Sequence, residues 1–408
     1  MKEKEAMDYL ESLAGFGIKP GLERIKELLT ELGQPQLNYK MIHVTGTNGK
    51  GSVCAMLSEI LKYAGIKVGL FTSPHLVRYE ERIRVNGEEI AARDFASLVE
   101  EMRELITKIK ISGHESPTLF ETLTAMAFKH FADEQVEYAV IEVGLGGLLD
   151  STNVIRPEVS IITNVANDHA EKCGGSLLGI ARHKAGIIKP FIPVVTGAKG
   201  EALQIIREVA NDKHSKLFVL DEDFHFNDTI KISLQGEYQK SNAAIVIKAA
   251  HLLNDERITN SVINDALNIT QWPGRFEIFN IDSKCIIIDG AHNGAGAKAL
   301  RESLDKRFEH EKRTYLFGVL KDKDIDTILD NLFRSEDYVI VTKPDSERAA
   351  ALEDICQRLK SRGIKVIAIE NNTAAFNKFI STRNSLLIAT GSLYLIGYIR
   401  ELLKKTYE

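Results

Sequence analysis

The sequence has few cysteines and no long apolar run, and each of these two absences excludes a class of protein. The four cysteines, Cys54, Cys173, Cys285 and Cys356, lie far apart and form no C-x-x-C pair. This spacing is typical of reduced thiols in a reducing compartment rather than of a disulfide framework. No stretch reaches the roughly 18 apolar residues that span a bilayer, which argues against a transmembrane helix.

The chain also lacks a strong charge of either sign and a recognisable secretory signal. Its 52 basic and 57 acidic residues give a formal net charge of -5, which argues against a wide nucleic-acid-binding surface. The N-terminal residues 1–13 are charged and helical in pattern, without an apolar core and a small-residue cleavage site. We therefore expect a cytoplasmic protein that binds neither nucleic acid nor a membrane.

Apolar strand-like runs alternate with helical patterns along the 408 residues. Residues 53–64 and 119–132 carry apolar side chains at the three-to-four spacing of amphipathic helices. The strand-like runs are almost continuously apolar, as in strands that are buried on both faces of a parallel sheet. This alternation predicts an α/β, doubly wound fold with a mostly parallel sheet. The clearest strands are predicted at residues 41–45, 67–71, 138–143, 159–165, 192–196, 285–289, 314–318, 338–342, 365–369 and 385–389.

A boundary between two domains is predicted where the helical pattern pauses. This pattern ends at about Asn268, and the pair Pro273-Gly274 then marks a turn. A second series of strand and helix patterns begins at Cys285. The N-terminal domain, the linker and the C-terminal domain are therefore predicted at residues 1–273, 274–282 and 283–408.

The strongest local motif is a glycine-rich turn, GTNGKGS at residues 46–52, between a buried strand and an amphipathic helix. Its glycines allow backbone N–H groups to converge on phosphate oxygens, and the helix N-terminus adds partial positive charge. Lys50 would neutralise the β- and γ-phosphates, and the Ser52 hydroxyl would bind Mg²⁺. The motif is one residue shorter than the usual P-loop. Its strand–loop–helix context still favours nucleotide binding over a glycine-rich surface turn.

Acidic and histidine side chains follow two further predicted strands. Glu142 ends one strand, and the pair Asp168-His169 follows another. The carboxyl ends of parallel strands meet at one edge of a sheet, so these groups could hold Mg²⁺ beside the phosphate loop. A buried salt bridge is the alternative for Glu142, and an ordinary hydrogen-bonded histidine for His169. Lys184, taken alone, reads as a surface lysine with a buried stem.

Eight motifs stand in order along nearly the whole chain. They are HVTGTNGKGS at 43–52, GLFTSPHLVRYEERIRVNG at 69–87, EVGLGGLLDSTNV at 142–154, DH at 168–169, KAGIIKP at 184–190, PGRFE at 273–277, DGAHN at 289–293 and GSLYLIGYIR at 391–400. With these motifs the chain resembles the folylpolyglutamate synthases and the bifunctional dihydrofolate/folylpolyglutamate synthases of the Mur-ligase superfamily. The resemblance implies a P-loop Mur-ligase-like N-terminal domain that binds ATP and folate, and a smaller Rossmann-like C-terminal glutamate-ligase domain.

The resemblance also implies roles for single positions. Lys184 aligns with a lysine that CO₂ carbamylates in this family. The implied catalytic residues are Lys50, Lys184, His169, Arg275 and His292. The implied ATP contacts are Gly46, Thr47, Asn48, Gly49, Lys50, Gly51, Ser52, Asn242, Arg275, Asp289 and His292. One or two Mg²⁺ ions would be bound by Ser52, Glu142, His169 and carbamylated Lys184, and the folate pocket would be shaped by Ser73, Pro74, His75, Phe120 and Glu121.

The implied reaction joins L-glutamate to a folate carboxylate through an acyl phosphate, at the expense of ATP. The implied partners are small molecules alone (folate or dihydropteroate, L-glutamate and ATP), and a monomer is expected. Polyglutamylation only, dihydropteroate glutamylation only, and both together stay open. Other candidates are a cell-wall amino-acid ligase of the same fold, a P-loop phosphotransferase or ATPase, and a catalytically silent binding protein. Leu148 and Gly294 depart from the family, which usually has arginine and proline there.

Overall fold

The computed structural model describes residues 2–15, 17, 19–168, 170–309 and 311–407, so the predicted site residue His169 lies outside the described residues. The chain forms two compact units. The first unit contains the chain up to Ile232 together with Ser241–Thr270, and the second contains Ser233–Lys240 together with the chain from Gln271 onward.

The first unit is built on a twisted sheet with helices around it. Its strands are β1 (Lys40–Thr45), β2 (Val68–Phe71), β3 (Ile83–Val85), β4 (Glu88–Glu89), β5 (Tyr138–Glu142), β6 (Val159–Ile162), β7 (Val194–Thr196) and β8 (Leu217–Val219). Its helices are α1 (Glu3–Ala14), α2 (Glu23–Glu31), α3 (Lys50–Tyr63), α4 (Ala92–Ile111), α5 (Leu119–Asp133), α6 (Leu177–Ala185), α7 (Gly200–Asp212), α8 (Tyr238–Leu252, whose first turn belongs to the second unit) and α9 (Asn260–Ile269).

The strand order of this sheet is β4-β3-β2-β5-β1-β6-β7-β8. The six neighbouring strands β2, β5, β1, β6, β7 and β8 pair in parallel. Strands β3 and β4 add an antiparallel edge next to β2. The central strands β1, β5 and β6 are buried along nearly their whole length, which explains their continuous apolar character. Their carboxyl ends carry the phosphate loop, Glu142 and the segment that begins at Thr163, so the sheet gathers these groups at one edge.

The second unit contains a smaller sheet of the same kind. Its strands are β9 (Glu277–Ile281), β10 (Lys284–Asp289), β11 (Arg313–Phe317), β12 (Tyr338–Val341), β13 (Lys365–Ala368) and β14 (Leu386–Thr390). Its helices are α10 (Gly294–Arg307), α11 (Ile325–Leu332), α12 (Leu352–Ser361), α13 (Asn372–Ile380) and α14 (Leu393–Tyr407). The strand order is β13-β12-β11-β14-β10-β9, parallel except for the edge strand β9.

The predicted α/β architecture is confirmed, and each of the ten predicted strands coincides with an observed one. The linker prediction for residues 274–282 is wrong in structural terms, because β9 pairs antiparallel with β10 as an integral edge of the second sheet. Residues 233–240 also join the second unit, although we predicted them within the N-terminal domain. Among the described residues, no helix has the length and apolar character that a membrane span requires.

Candidate active site

The phosphate loop connects β1 to α3 in the first unit. Gly46 and Gly49 have φ angles of +154° and +85°, which an L side chain rarely adopts. A Cβ atom on Gly49 would lie 2.6 Å from Oδ1 of Asn242, so that neighbour also requires glycine. Because α3 begins at Lys50, the N–H groups of its first turn face out of the helix end, which is the arrangement that binds an anion.

The segment after β6 holds this loop in shape. The backbone N–H of Asn48 donates to Oδ1 of Asn164 at 3.0 Å, and the Asn164 amide donates to the Asn48 carbonyl at 2.9 Å. The Thr163 hydroxyl donates to the same carbonyl at 2.6 Å. The Thr47 hydroxyl accepts from the Ala166 N–H at 3.0 Å. These contacts fix the loop through β6, which pairs directly with β1.

Lys50 lies at the start of α3 with its ammonium group folded over the loop. Its Nζ donates to the carbonyl oxygens of Gly46 and Thr47 at 3.2 and 3.4 Å. Both acceptors belong to the turn that would surround the phosphates. The positive charge is therefore placed where negative charge would be bound, and it can exchange two carbonyl contacts for phosphate oxygens.

Glu142 and Ser52 provide hard oxygen atoms at the same edge of the sheet. Glu142 ends β5 with only 4% of its surface exposed, and the buried Ser52 lies in the first turn of α3, which packs against β5. Oε2 of Glu142 accepts from the Ser73 N–H at 2.9 Å. A buried carboxylate and a hydroxyl are hard oxygen donors of the kind that Mg²⁺ prefers, so the chemistry of these two residues fits a magnesium ion. No cluster of three His, Cys, Asp or Glu side chains occurs among the described residues.

Lys184 is buried, not at the surface as the residue pattern alone suggests. It lies in the last turn of α6 with 6% of its surface exposed. Burial, with a further contribution from the charge of Lys50, lowers the pKa of Lys184 from 10.5 to about 7. An appreciable part of this amine is therefore uncharged at neutral pH, and an uncharged amine is the form that reacts with CO₂.

The loop between β5 and the turn at Ser151–Val154 positions α6. The Leu148 N–H donates to the His183 carbonyl at 2.7 Å, and the Asn153 amide donates to the carbonyls of Leu148 and Gly186. The Thr45 hydroxyl of β1 donates to the Gly146 carbonyl at 2.7 Å. This loop thus joins the strand below the phosphate loop to the helix that carries Lys184.

A buried chain of polar side chains stabilises the same loop from within. Oδ2 of Asp150 accepts from the Leu145 N–H at 2.8 Å, and its Oδ1 accepts from the Thr152 hydroxyl at 2.6 Å. Nε2 of the fully buried His43 lies 2.9 Å from the Thr152 hydroxyl oxygen. Burial and the nearby Lys189 charge lower the pKa of His43 to about 3, so His43 is neutral. These hydrogen-bonded side chains stabilise the loop that follows Glu142.

The predicted folate-pocket residues lie around the carboxyl ends of β2 and β5. The loop Ser73-Pro74-His75 follows β2, and the Ser73 N–H contacts Glu142 as described. The Phe120 ring packs against Gly144 just beyond β5. Glu121 differs from a substrate contact in its surroundings: it caps α5 through Thr118 and forms a 3.0 Å ion pair with Arg24. These contacts engage the Glu121 carboxylate within the first unit, and its folate contact stays a prediction.

In the second unit, the carboxyl end of β10 groups three predicted ATP residues. Buried Asp289 accepts from the N–H groups of Phe276 and Ala291 at 2.8 and 2.9 Å, and from the Tyr238 hydroxyl at 2.9 Å. Nδ1 of His292 lies 2.7 Å from the Gly290 carbonyl, so this nitrogen carries the proton. The Arg275 guanidinium packs against Gly290. Asp289 therefore connects two segments, because Phe276 is the neighbour of Arg275 and Ala291 is the neighbour of His292.

Two departures from the family pattern have visible surroundings. A Cβ atom on Gly294 would lie 2.3 Å from Cγ2 of Thr327, so Thr327 fills the space that a proline ring would need. Leu148 is 44% exposed, so its side chain lies partly at the surface of the first unit. Asn242, which the resemblance assigns to adenine, contacts Gly49 and so lies beside the phosphate loop.

Several supporting residues were missed by the sequence reasoning. Thr163 and Asn164, at the end of β6, hold the phosphate loop, and Tyr238 holds Asp289. A polar Thr-Asn pair directly after a buried strand was a usable signal for the first two residues. Tyr238 precedes Asp289 by 51 positions in the chain, and local pattern carries no information about that contact.

Two family models match most of the chain. The Mur ligase middle domain matches residues 44–225, and the Mur ligase glutamate ligase domain matches residues 274–393. A dihydrofolate synthase/folylpolyglutamate synthase of Bacillus subtilis is 34% identical, with 98% of this chain and 99% of that protein covered.

Solved structures are similar over the same length. Mycobacterium tuberculosis folylpolyglutamate synthase, solved with ADP and AMPPCP, is 30% identical, with a TM-score of 0.91 and 98% and 99% of the two chains covered. E. coli FolC, solved with DHPP and ADP, is 27% identical, with a TM-score of 0.88 and 99% and 98% covered. The bifunctional enzyme of Yersinia pestis, solved with AMPPNP and a Mn ion, is 28% identical, with a TM-score of 0.87 and 99% and 98% covered.

Proposed function

The chain belongs to the Mur ligase family and, within it, to the folylpolyglutamate and dihydrofolate synthases, and from this premise we propose that it uses ATP to join L-glutamate to a folate carboxylate. The observation that carries this proposal is the placement of Lys50, Glu142 and buried Lys184 around one edge of the first sheet. That edge combines a phosphate-binding turn with oxygen ligands for a divalent cation.

The phosphate loop would hold ATP by its backbone and by Lys50. The N–H groups at the start of α3 would donate to the phosphate oxygens, and the helix would add partial positive charge. Lys50 would exchange its contacts with the Gly46 and Thr47 carbonyls for the β- and γ-phosphate oxygens. Since the attacking group is itself an anion, this neutralisation lowers the repulsion between carboxylate and triphosphate.

Magnesium, when bound, would neutralise phosphate charge and orient the γ-phosphoryl group. Ser52 and Glu142 would hold it, and His169 is assigned the same role by the family resemblance. The Ser73 N–H keeps the Glu142 carboxylate in one orientation, and the Gly146 contact of Thr45 holds the loop behind it. These second contacts keep the oxygen ligands in place before the substrates bind.

The proposed ligation has two steps, phosphoryl transfer and then amide formation. A folate carboxylate oxygen attacks the γ-phosphorus and the bond from that phosphorus to the ADP oxygen breaks, which gives an acyl phosphate. The amine nitrogen of L-glutamate then attacks the acyl carbon, loses a proton, and the carbon–oxygen bond to phosphate breaks. The products are the amide, ADP and inorganic phosphate. Lys50 stabilises the charge that shifts toward ADP in the first step.

We propose that Lys184 is carbamylated. Attack of its neutral amine on CO₂ forms a nitrogen–carbon bond and releases one proton, which leaves a carbamate anion. The burial of the amine and its low pKa support this reaction, and the anion would be stabilised by the nearby Lys50 charge. Incubation with ¹³C-labelled bicarbonate should produce a carbamate carbon resonance that is missing from Lys184→Ala, whereas an identical spectrum for both proteins would contradict carbamylation.

Three residues of the second unit are proposed as nucleotide contacts on the family resemblance alone. The family resemblance assigns Arg275 and His292 to the phosphates and Asp289 to the ribose. The hydrogen bonds that Asp289 accepts from the N–H groups of Phe276 and Ala291 support a positioning role in addition. Asn242 lies beside the phosphate loop, which supports a nucleotide contact near the phosphates.

An ADP-release assay tests the proposed reaction. Dihydropteroate and tetrahydrofolate are supplied separately, each with and without L-glutamate. We propose that both are substrates, as in relatives that are named for both activities. ADP release that needs a folate and L-glutamate supports the ligase. ADP release without glutamate would instead identify a phosphotransferase or ATPase, and the inactivity of one folate would identify a monofunctional enzyme.

The protein is further proposed to act as a cytoplasmic monomer. Its four cysteines are free thiols, which agrees with a reducing compartment. The scattered aromatic residues form no stripe for a second copy. Light scattering at micromolar concentration should give the mass of one 45.5 kDa chain.

A further inference from the structure

The loop that follows β2 is fixed by the side chains of two consecutive residues. The Glu81 carboxylate accepts from the backbone N–H groups of Leu76, Val77 and Arg78 at 2.8 to 2.9 Å. The next residue, Arg82, donates through Nε to Nδ1 of His75 at 2.9 Å. Backbone and imidazole are therefore held separately, the first by an anion and the second by a cation.

The contact with Arg82 determines where His75 carries its proton. A guanidinium N–H can only donate, so Nδ1 must accept with its lone pair. A neutral imidazole with an unprotonated Nδ1 carries its hydrogen on Nε2. The ring is thus in a single tautomer whose one donor is Nε2–H.

The other groups around His75 keep the ring neutral and in place. Tyr79 contacts it edge to face, with ring centroids 4.5 Å apart, and Arg82 lies 5.5 Å from the Tyr79 centroid. Burial and the Arg82 charge lower the pKa of His75 to about 4, although the Glu81 charge opposes this shift. Protonation would place two cations in contact, so the neutral state extends well below physiological pH.

We propose that Arg82 is a positioning residue that locks His75 as a neutral Nε2–H donor for an oxygen acceptor of the folate substrate. The inference rests on the proposed function, because the family resemblance places Ser73-Pro74-His75 at the folate pocket. A neutral donor holds a carbonyl or carboxylate oxygen in one orientation without adding a titrating charge. Folate binding should therefore not depend on His75 protonation between pH 5.5 and 8.

Nitrogen-15 NMR of the ligand-free protein tests the tautomer directly. The His75 signals are assigned among the 11 histidines by their loss in His75→Gln. The expected spectrum has an unprotonated Nδ1 and a protonated Nε2, with no titration between pH 5.5 and 8. A protonated Nδ1, or a midpoint near the ordinary histidine pKa of about 6.5, would overturn the proposal. This measurement needs no substrate, so it can fail while the proposed ligase activity stands.

Two substitutions connect the tautomer to binding. In Arg82→Met, the pKa of His75 should rise, because the Arg82 charge is lost while burial remains, and the KM for folate should acquire a pH dependence at low pH that the unsubstituted protein lacks. Arg78→Met is the matched control, because that arginine lies in the same segment and pairs with Glu89 instead. A flat KM profile in Arg82→Met, with His75 shown by NMR to titrate, would contradict a role in substrate binding.

Substitution of His75 itself gives the second readout. His75→Leu should raise the KM for folate about tenfold and leave the KM for ATP within about twofold, since one hydrogen bond to substrate is lost. His75→Gln keeps an N–H donor and should recover much of that loss. Equal KM values for folate in Leu and Gln variants would argue against a donor role.

Discussion

At the scale of single residues, Lys50 is the proposed source of the positive charge that stabilises phosphate transfer. Its Nζ contacts only loop carbonyls among the hydrogen bonds observed for that group, so its removal should leave the fold intact. Lys50→Ala should lower kcat by roughly 10³-fold or more, because a group that stabilises charge in the transition state is lost. Steady-state ADP release measures the change, with the melting temperature as a check on folding.

Lys62→Ala is the matched control for this prediction. Lys62 lies in the last turn of the same helix and its Nζ is 3.4 Å from Glu59 in an exposed ion pair. Such pairs contribute little, so both kcat and stability should stay close to the original values. Near-normal turnover in Lys50→Ala would refute the assignment of the phosphate loop.

The buried amine of Lys184 predicts a pH-dependent stability. Its pKa is about 7 in the folded chain, whereas the ordinary lysine value of 10.5 applies to the unfolded chain. Between these values the unfolded state binds more protons, so this residue makes stability rise with pH, and its cost is fully present below pH 7. Lys184→Met should be more stable than the original protein by a few kcal/mol below pH 7, and the difference should shrink toward pH 10.5.

Urea unfolding in buffer free of CO₂ measures this difference. Removal of CO₂ keeps the amine uncarbamylated, so that only its protonation changes. Lys199→Met is a suitable control, since Lys199 is exposed and forms its ion pair with Asp221 at the surface. A constant difference between Lys184→Met and the original protein from pH 6 to 10 would show that the amine titrates normally.

Residue types and spacing predicted that Lys50, Ser52 and Glu142 lie at one edge of the sheet, where the structure has them, but did not predict the surroundings of Lys184. A P-loop is a local motif, and a carboxylate at a strand end follows from the strand pattern. The burial of Lys184 depends on a loop more than 30 residues earlier, through the contact of Leu148 with His183. Local hydrophobic pattern cannot report such a contact, so only the family resemblance reversed the surface interpretation.

At the scale of secondary-structure elements, β6 supports the phosphate loop that follows β1. Asn164 receives and donates one hydrogen bond with the backbone of Asn48. In Asn164→Leu the new side chain has a similar volume, and both hydrogen bonds with Asn48 are lost. We expect the KM for ATP to rise about tenfold, because the loop samples more conformations before it binds phosphate. ADP release at varied ATP concentration measures this effect.

The same substitution at Asn331 in the second unit is the control that distinguishes a loss of loop positioning from a general loss of stability. Asn331 donates to the Thr327 carbonyl at 2.8 Å from the exposed face of α11. Asn331→Leu should leave the KM for ATP unchanged. If the two variants raised that KM equally, positioning of the phosphate loop by β6 would not be the cause.

Most of the strands that sequence reasoning found are buried, and the ones it missed are short or half-exposed. Strands β1 and β5 are almost continuously apolar because both faces are covered. By contrast, β4 has two residues, β8 has three, and β9 is only half-buried along its length. A run of two or three residues gives no periodic signal, so its pairing depends on the neighbouring strand.

At the scale of the whole molecule, the chain enters the second unit twice. Residues Ser233–Lys240 belong to that unit, and the chain then returns to the first unit for Ser241–Thr270. The pair Pro273-Gly274 indicated the second entry into this unit. The sequence reasoning recognised no signal for the first entry, at Ser233. The return to the first unit after Lys240 is also unmarked, because α8 continues through it as one helix.

The segment Ser233–Lys240 should therefore stabilise a fragment of residues 271–408. It supplies the Tyr238 hydroxyl to buried Asp289 and places Glu237 beside Ser303 and Lys306. Without it, Asp289 loses a donor inside the protein, which costs about 1–3 kcal/mol. Residues 233–240 joined by a flexible linker to 271–408 should melt at a higher temperature than 271–408 alone. Calorimetry measures both, and the same fusion with Tyr238→Phe should lose most of the gain. Equal melting temperatures for the three fragments would mean that this segment does not contribute to the folding of the second unit.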